Sequence, residues 1–370
     1  MTILQQPENY NFAGNIPEFI ISDIEPVPFR LMKDEEVLLD ELYTPDPDAK
    51  VTIDLVGFFE KYLSINIPDS SESDYSQVQG FGEFTAEIGD GSSPTEIPFT
   101  VVKGGVDYLE NDEEFFKKYF LTWQPRTKRI KSTDVEWLSY FSVNPTEIRC
   151  TVTDSEGTEE EALIKSIAVT NLVCLNVSLS VITELVSITP VKYDVWVKEG
   201  EDVISISQSY ILTSEESNYE DVFVFENSMG GIDSVRYTGI LTSEENHEFA
   251  RAIYDKDEIE YDVSPKTLYT KNTGDFKSAR EIYWLRDFFK SRKKFHFLYG
   301  SFRKIISLPT SLIQNGKVLS NYDFKFKYMR DSYYQPLYQL MPEELFDFLQ
   351  DTDDELLLDS DGDLLLDRKL

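Results

Sequence analysis

The chain of 370 residues carries 35 basic and 68 acidic side chains, a formal net charge of −33, with 41% hydrophobic and 14% aromatic residues. The length suits two or three globular domains, and the hydrophobic share excludes a disordered chain. The charge opposes phosphate backbones and anionic membranes, so neither nucleic acid nor a membrane is an expected partner.

Residues 1–14, MTILQQPENYNFAG, read as an N-terminal arm without the basic and apolar regions of a secretory signal. No apolar run reaches the ~20 residues of a membrane-spanning helix. The expected product is soluble and cytoplasmic, kept there or released by lysis or by a dedicated machine.

Residues 15–112 read as a β-sandwich module with one short helix. Strand patterns at 37–42 and 51–53 flank the turn cluster Thr44-Pro-Asp-Pro-Asp. After Asp54, a good N-cap, Leu55, Phe58, Phe59, Tyr62 and Leu63 fall at helical spacing. Residues 69–76 read as a polar loop, and 81–88 and 97–101 alternate at period two.

Residues 113–212 read as an Ig-like sandwich. Leu121-Thr-Trp-Gln and Val135-Glu-Trp-Leu-Ser-Tyr-Phe open it, Ile148-Arg-Cys-Thr-Val-Thr alternates cleanly, and Asp154-Ser-Glu-Gly is the following turn. Further strands are expected at 161–167, 172–179, 192–198 and 203–210, the last two joined by a turn at 199–202. Short strands at about ten-residue spacing are the mark of a sandwich. Cys150 and Cys174 are expected as buried thiols, a single bridge across the sandwich being the alternative, and two cysteines exclude a disulfide scaffold. Trp123, Trp137, Trp196 and Trp284 sit in apolar periodic contexts and are expected in cores.

Residues 213–345 read as a β-rich module with a helix near 278–290, started by a Ser278/Glu281 capping box. Strands are expected at 221–226, 234–238, 295–299, 304–308 and 323–328. Asn227-Ser-Met-Gly-Gly is a tight turn whose glycines permit positive φ. The string Ile-Leu-Thr-Ser-Glu-Glu occurs from Ile211 and again from Ile240, and suggests two equivalent exits from strand to loop.

Residues 346–370 read as an acidic hairpin or tail. Leu356, Leu357 and Leu358, then Leu364, Leu365 and Leu366, flank Asp359-Ser-Asp-Gly-Asp. Such a hairpin is marginal alone, so the leucines are expected to dock on a neighbour. Arg286, Arg292, Lys293 and Lys294 interrupt the acidic chain. They read as a solvated helix end or as the surface that receives a neighbour's acidic face.

Chemistry is sparse. His247 and His296 lie apart, and neither is accompanied by a Gly-x-Ser-x-Gly elbow. No phosphate-binding loop or dinucleotide fingerprint occurs. The spaced acids at Asp351, Asp353 and Glu355 invite calcium, but the loop positions that need glycine and glutamate hold Leu356 and Gly362. No catalytic, cofactor-binding or metal residue is assigned, and no cofactor is expected. The fold class is mainly β: tandem Ig-like or related β-sandwich modules, one or two short helices, and a C-terminal β-hairpin or tail.

Three stretches carry a resemblance: Leu121-Thr-Trp-Gln-Pro with Glu136-Trp-Leu-Ser-Tyr-Phe, Phe225-Glu-Asn-Ser-Met-Gly-Gly-Ile-Asp, and Glu281-Ile-Tyr-Trp-Leu-Arg-Asp-Phe-Phe-Lys-Ser. Together with Tyr43-Thr-Pro-Asp they resemble virion or tail proteins of phages and prophages of gut Bacteroidetes. The resemblance implies a non-catalytic structural or adaptor subunit of a tail, collar or related particle. Its partners would be other particle proteins and copies of itself, and it would reside in a virion assembled in the host bacterial cytoplasm. A carbohydrate-binding or host-adhesion protein, with glycan as ligand, is the alternative. A tail-associated hydrolase is the second.

Overall fold

Alternation in sequence becomes alternation in burial. In the computed structural model the strand Thr146–Thr153 buries Ile148, Cys150 and Val152 and turns Glu147, Arg149 and Thr151 outward. The structure describes residues 1–89, 94–109, 111–215, 217, 219–254, 257–276, 278–298, 300–311, 321–330, 347–348 and 366–367, without the side chains at 254, 259, 261–265, 279, 347–348 and 366–367. The chain is mainly β and divides into two units. The first holds Met1–Ser214, Val222–Arg236 and Lys277–Phe302, the second Glu215–Asp221, Tyr237–Phe276 and Arg303–Leu370.

The first unit opens with β1 (Thr2–Gln5), β2 (Tyr10–Phe12), β3 (Phe19–Ser22), β4 (Val27–Lys33), β5 (Glu36–Tyr43), β6 (Lys50–Ile53), α1 (Val56–Tyr62), β7 (Asp74–Ser76), β8 (Phe81–Ile88) and β9 (Thr95–Val102). Sheet β1-β3-β6 faces sheet β2-β9-β8-β4-β5 across a core that includes Phe19, Phe29, Ile53, Phe84 and Phe99. The α1 helix closes this core with Phe59, whose ring lies 4.7 Å from that of Phe84. Asp54, expected as the N-cap, lies one residue ahead of it: Leu55 holds the cap position without a side-chain hydrogen bond, and Asp54 Oδ1 accepts from Val56 N at 2.8 Å.

Next come α2 (Asp112–Lys118), β10 (Thr127–Ile130), β11 (Trp137–Ser142), β12 (Thr146–Thr153), β13 (Glu159–Ile167), β14 (Asn171–Asn176), α3 (Leu179–Leu185), β15 (Lys192–Glu199), β16 (Asp202–Val203) and β17 (Gln208–Leu212). Sheet β10-β17-β15-β12-β13 faces sheet β11-β14-β7 across a second core. β7 comes from the stretch read as a polar loop; it pairs with β14 through Tyr75 and Cys174, so the boundary expected at 112 is crossed by a shared sheet. Every residue of β11 is buried. Leu138 and Tyr140 enter the second core, while Trp137 and Phe141 enter a third with Phe12, Val102, Leu121 and Ile232. Cys150 and Cys174 are free thiols in different cores, which leaves no bridge between them.

The remainder is β18 (Asp221–Glu226), β19 (Ile232–Tyr237), β20 (Leu241–Tyr254), β21 (Asp257–Asn272), α4 (Ala279–Lys290), β22 (Lys294–Leu298), β23 (Ser301–Ser307), β24 (Asp323–Tyr328), and the two-residue pair β25 (Asp347–Phe348) and β26 (Leu366–Asp367). The segments 222–236 and 277–302, read from the sequence as parts of a separate third module, belong to the first unit because they bury Val224, Ile232 and Trp284 there. In the second unit β21 pairs with β24 over Tyr269–Asn272, and β24 pairs with β23.

Several expectations change. Among the described residues there are four helices where one or two were expected: α2, capped by Asn111 accepting from Glu114 N at 2.8 Å, lies at the module boundary expected at 112, and α3 begins at Leu179, where a strand was expected to end. The second copy of the Ile-Leu-Thr-Ser-Glu-Glu string opens the 14-residue β20 and is no exit from a strand, whereas the first ends β17. Residues 119–126 form no strand. Leu121 takes the buried place there and Trp123 is 39% exposed, against 0% for Trp137, 9% for Trp196 and 6% for Trp284.

Candidate functional site

The three stretches that stood out in the sequence meet in the first unit. Their centre is Asp233, fully buried on β19 behind the Gly-Gly turn. Its Oδ1 accepts from Thr122 Oγ1 at 2.6 Å and from Asn227 Nδ2 at 3.0 Å. Its Oδ2 accepts from Trp284 Nε1 at 2.9 Å and Trp123 N at 3.4 Å. Burial pushes this carboxyl up to about 6; the Thr122 hydrogen bond opposes the shift and the charge of Asp287 adds to it.

Asn227 holds the turn that delivers Asp233. Its Oδ1 accepts from Met229 N and Gly231 N, both at 3.0 Å, and its Nδ2 also donates to Leu121 O at 2.8 Å. Gly230 has φ of 79°, and a Cβ there would stand 1.9 Å from Lys103 O. A Cβ on Gly231 would stand 2.0 Å from Leu121 O. The glycines are therefore required by backbone packing as well as by the turn. Ser228 extends the contact: its N donates to Asp287 Oδ2 at 3.0 Å and its Oγ accepts from Trp123 Nε1 at 2.7 Å.

Glu136 and Lys128 lie alongside. Lys128 Nζ donates to Glu136 Oε2 and, at 2.6 Å, to Ser234 O; it also sits 5.1 Å from the centre of the Trp284 ring. Ser234 Oγ lies 3.3 Å from the same Glu136 oxygen. Burial drives the Glu136 carboxyl up to about 7, against the pull of Lys128. The sequence pattern gives Thr122, Glu136 and Asp233 no role and places Trp284 only in a core. The available signal was a charged residue enclosed by apolar neighbours in a strand, Val135-Glu-Trp and Ile232-Asp-Ser-Val, which has to find a partner when it is buried.

Both Asp233 oxygens, Glu136 Oε2 and Lys128 Nζ are engaged with the chain's own groups, and Asp233, Glu136 and Lys128 are buried. The arrangement fastens 121–139, 227–236 and α4 to one another, and it leaves no surface on which a substrate could meet either carboxylate.

The interface residues expected from sequence fall in several places. Leu356, Leu357, Leu358, Leu364 and Leu365 lie outside the described residues, and the Leu366 backbone pairs with Phe348. Arg286 and Arg292 are exposed. Lys293 Nζ donates to Ile65 O and lies 3.7 Å from Glu226. Lys294 points inward from β22, 5% exposed, and donates to Phe289 O at 3.1 Å; burial lowers its ammonium to about 8. It cannot serve as a surface cation. His296 is fully buried and stacks on Phe223 at 4.6 Å, whereas His247 is exposed on β20. No cluster of potential metal ligands occurs among the described residues, and none of their helices is long and apolar enough to cross a membrane. A hollow of about 400 Å³ beside α1 is lined by Gly57, Phe58, Lys61 and Tyr62.

No protein-family model matches the chain, and no curated protein matches it. Among solved structures it is similar to the titin I-band fragment I67–I69 at 9% identity and a TM-score of 0.18, covering 73% of this chain and 92% of that one. It is also similar to extracellular domains 3–5 of Drosophila OTK, at 9% identity, a TM-score of 0.22 and coverage of 82% and 94%. The ICAM-5 D1–D4 ectodomain fragment gives 10% identity, a TM-score of 0.19 and coverage of 72% and 74%. Scores this low add nothing to the β-rich sheets already described.

Proposed function

We propose that this chain works without catalysis, by protein–protein contact, as a structural or adaptor subunit of a phage tail, collar or related particle. The observation that carries the contact reading is the β20–β21 ribbon of the second unit. It runs for 14 and 16 residues, and from Thr242 to Phe249 every residue is exposed. Such an arm has little to gain from its own chain and much to gain from a neighbour. The buried polar node supports the non-catalytic half of the reading, because its carboxylates are consumed in fastening the fold. The phage assignment rests on the three resembling stretches. A tagged chain lacking 244–268 should fold and yet be missing from purified particles that contain the intact chain, as read by mass spectrometry. Normal incorporation of the shortened chain would overturn the contact reading.

A glycan-binding reading has one observation in its favour. Trp123 is 39% exposed and is held rigidly by its Nε1 bond to Ser228, as a stacking platform would be. Glycan-array binding abolished by Trp123→Ala would establish it.

A further inference from the structure

The first unit presents a basic stripe. On α4, Arg280, Tyr283, Arg286 and Lys290 are exposed at spacings of three and four, and Arg292 is exposed just beyond the helix. The Arg286 guanidinium lies over the Tyr283 ring, 5.1 Å from its centre. Asp287, on the same helix, faces inward to Ser228 N and is 6% exposed. In a chain of net charge −33 this stripe is a surface on which an acidic partner gains attraction where most of the molecule would repel it.

The second unit presents the opposite charge. Glu244, Glu245 and Glu248 on β20, and Asp257, Glu258 and Glu260 on β21, are all exposed. Among its cations, Arg251 lies 3.7 Å from Glu258 and Lys266 lies 2.6 Å from Glu248. Phe249 and Ile253 are 51% and 80% exposed on the same strand. Among the described residues β20 is the last strand in its sheet and its outer backbone edge has no ladder partner, and β21 pairs with β24 over Tyr269–Asn272. Two such ribbons pairing edge to edge would set glutamates against glutamates. The cover that fits has the opposite sign and offers aromatic surface.

We infer that the acidic β20–β21 ribbon of one copy docks on the basic α4 face of a second copy. The inference rests on the contact reading above and names its partner. The two surfaces differ, so the contact is heterologous and propagates head to tail into a ring or a filament. Arginine and tyrosine at its centre are the residue types that concentrate binding energy in interfaces, and charge complementarity makes the association sensitive to salt.

The test uses the full chain in three forms: the wild type, a helix variant with Arg280→Glu, Arg286→Glu and Lys290→Glu, and a ribbon variant with Glu244→Lys and Glu245→Lys. All five positions are exposed, and unchanged circular dichroism verifies folding of each form. Sedimentation is measured at ~0.05 M and ~0.5 M salt, which spans the range of strong to weak screening. The wild type should form multimers at low salt and dissociate at high salt. Each variant alone should associate at least ~10-fold more weakly, about 1.4 kcal/mol or more. An equimolar mixture of the two variants should regain association, because the reversed helix then meets the reversed ribbon. A wild type that stays monomeric at low salt overturns the inference, as does a mixture that fails to associate when the wild type does. A monomeric wild type that is nevertheless recovered in particles removes this interface and leaves the contact reading standing.

Discussion

Lys128 and Glu136 show what a single buried charge costs. Both are under a tenth exposed, and each neutralises the other where water cannot. Lys128→Met strands the Glu136 carboxylate and should lower stability by ~3–5 kcal/mol in chemical denaturation. Adding Glu136→Leu should return a large part of that loss, since two apolar groups of similar size remove the desolvation penalty altogether. A single variant as stable as the wild type would mean that water reaches the pair. The tryptophans make a second contrast. Trp196→Ala empties a buried site and removes the Nε1 bond to Thr151 Oγ1, and should cost ~3–5 kcal/mol. Trp123→Ala gives up a half-exposed ring and one hydrogen bond, and should cost ~1 kcal/mol. Thermal melts of the two variants side by side decide the ordering. Gly231→Ala places a methyl group against Leu121 O and should cost ~3 kcal/mol or more.

At the scale of elements, the contrast is between strands that hold cores and a ribbon that holds none. β11 is buried on both faces and serves two cores, so any break in it damages both. The β20–β21 ribbon pairs Thr242 with Thr270 near its root. Replacing 244–268 by a two-residue Asn-Gly turn keeps the Ser243–Tyr269 pair and the packing of Tyr269 on Phe326, and should leave the melting temperature within a few degrees of wild type while removing self-association. The root itself is fixed by Lys271, fully buried, whose Nζ donates to Tyr219 O at 2.6 Å, Asp221 Oδ2 at 2.5 Å and Gly239 O at 2.6 Å. That saturated cation anchors the ribbon and argues that the arm is a built feature of the second unit.

The whole molecule should be sensitive to pH. Burial raises the carboxyls of Glu136 to about 7, Asp233 to about 6 and Asp112 to about 6, from ordinary values of 4.5, 3.8 and 3.8. Between those ordinary values and the raised ones the folded chain binds protons that the unfolded chain has released. Stability is therefore greatest at the acid side of this window and falls as pH rises through about 6 to 7. Melting temperature should decline from pH ~5 to pH ~8, and Asp112→Asn should flatten the slope. Lys294 acts with the opposite sign at higher pH. Its ammonium is lowered from 10.5 to about 8, so the unfolded chain is the one that binds the extra proton between those values, and stability recovers as pH rises across them. A melting temperature that rises from pH ~5 to pH ~8 would contradict the burial of these carboxyls.

Sequence alone determined the β-rich class, the clean strands such as 146–153, the helix behind Ser278 and the glycine turn after Asn227. Each rests on local rules: side-chain alternation, a cap, a residue free to take positive φ. The same rules placed Trp137 and Trp196 inside, because their neighbours alternate with them. They placed Trp123 inside as well, and that failed because residues 119–126 form no strand and the buried role passes to Leu121. The tertiary structure alone decided that β7 joins β14, that 222–236 and 277–302 complete the first unit, and that Thr122, Asn227, Asp233 and Trp284 meet. Those contacts link residues up to 111 positions apart, and no local pattern encodes which distant strand a given edge will find. The ribbon was missed for a related reason. A strand is recognised by its buried face, and β20 has almost none, so Thr242–Phe249 carries the composition of a loop while its backbone is held in register by β21.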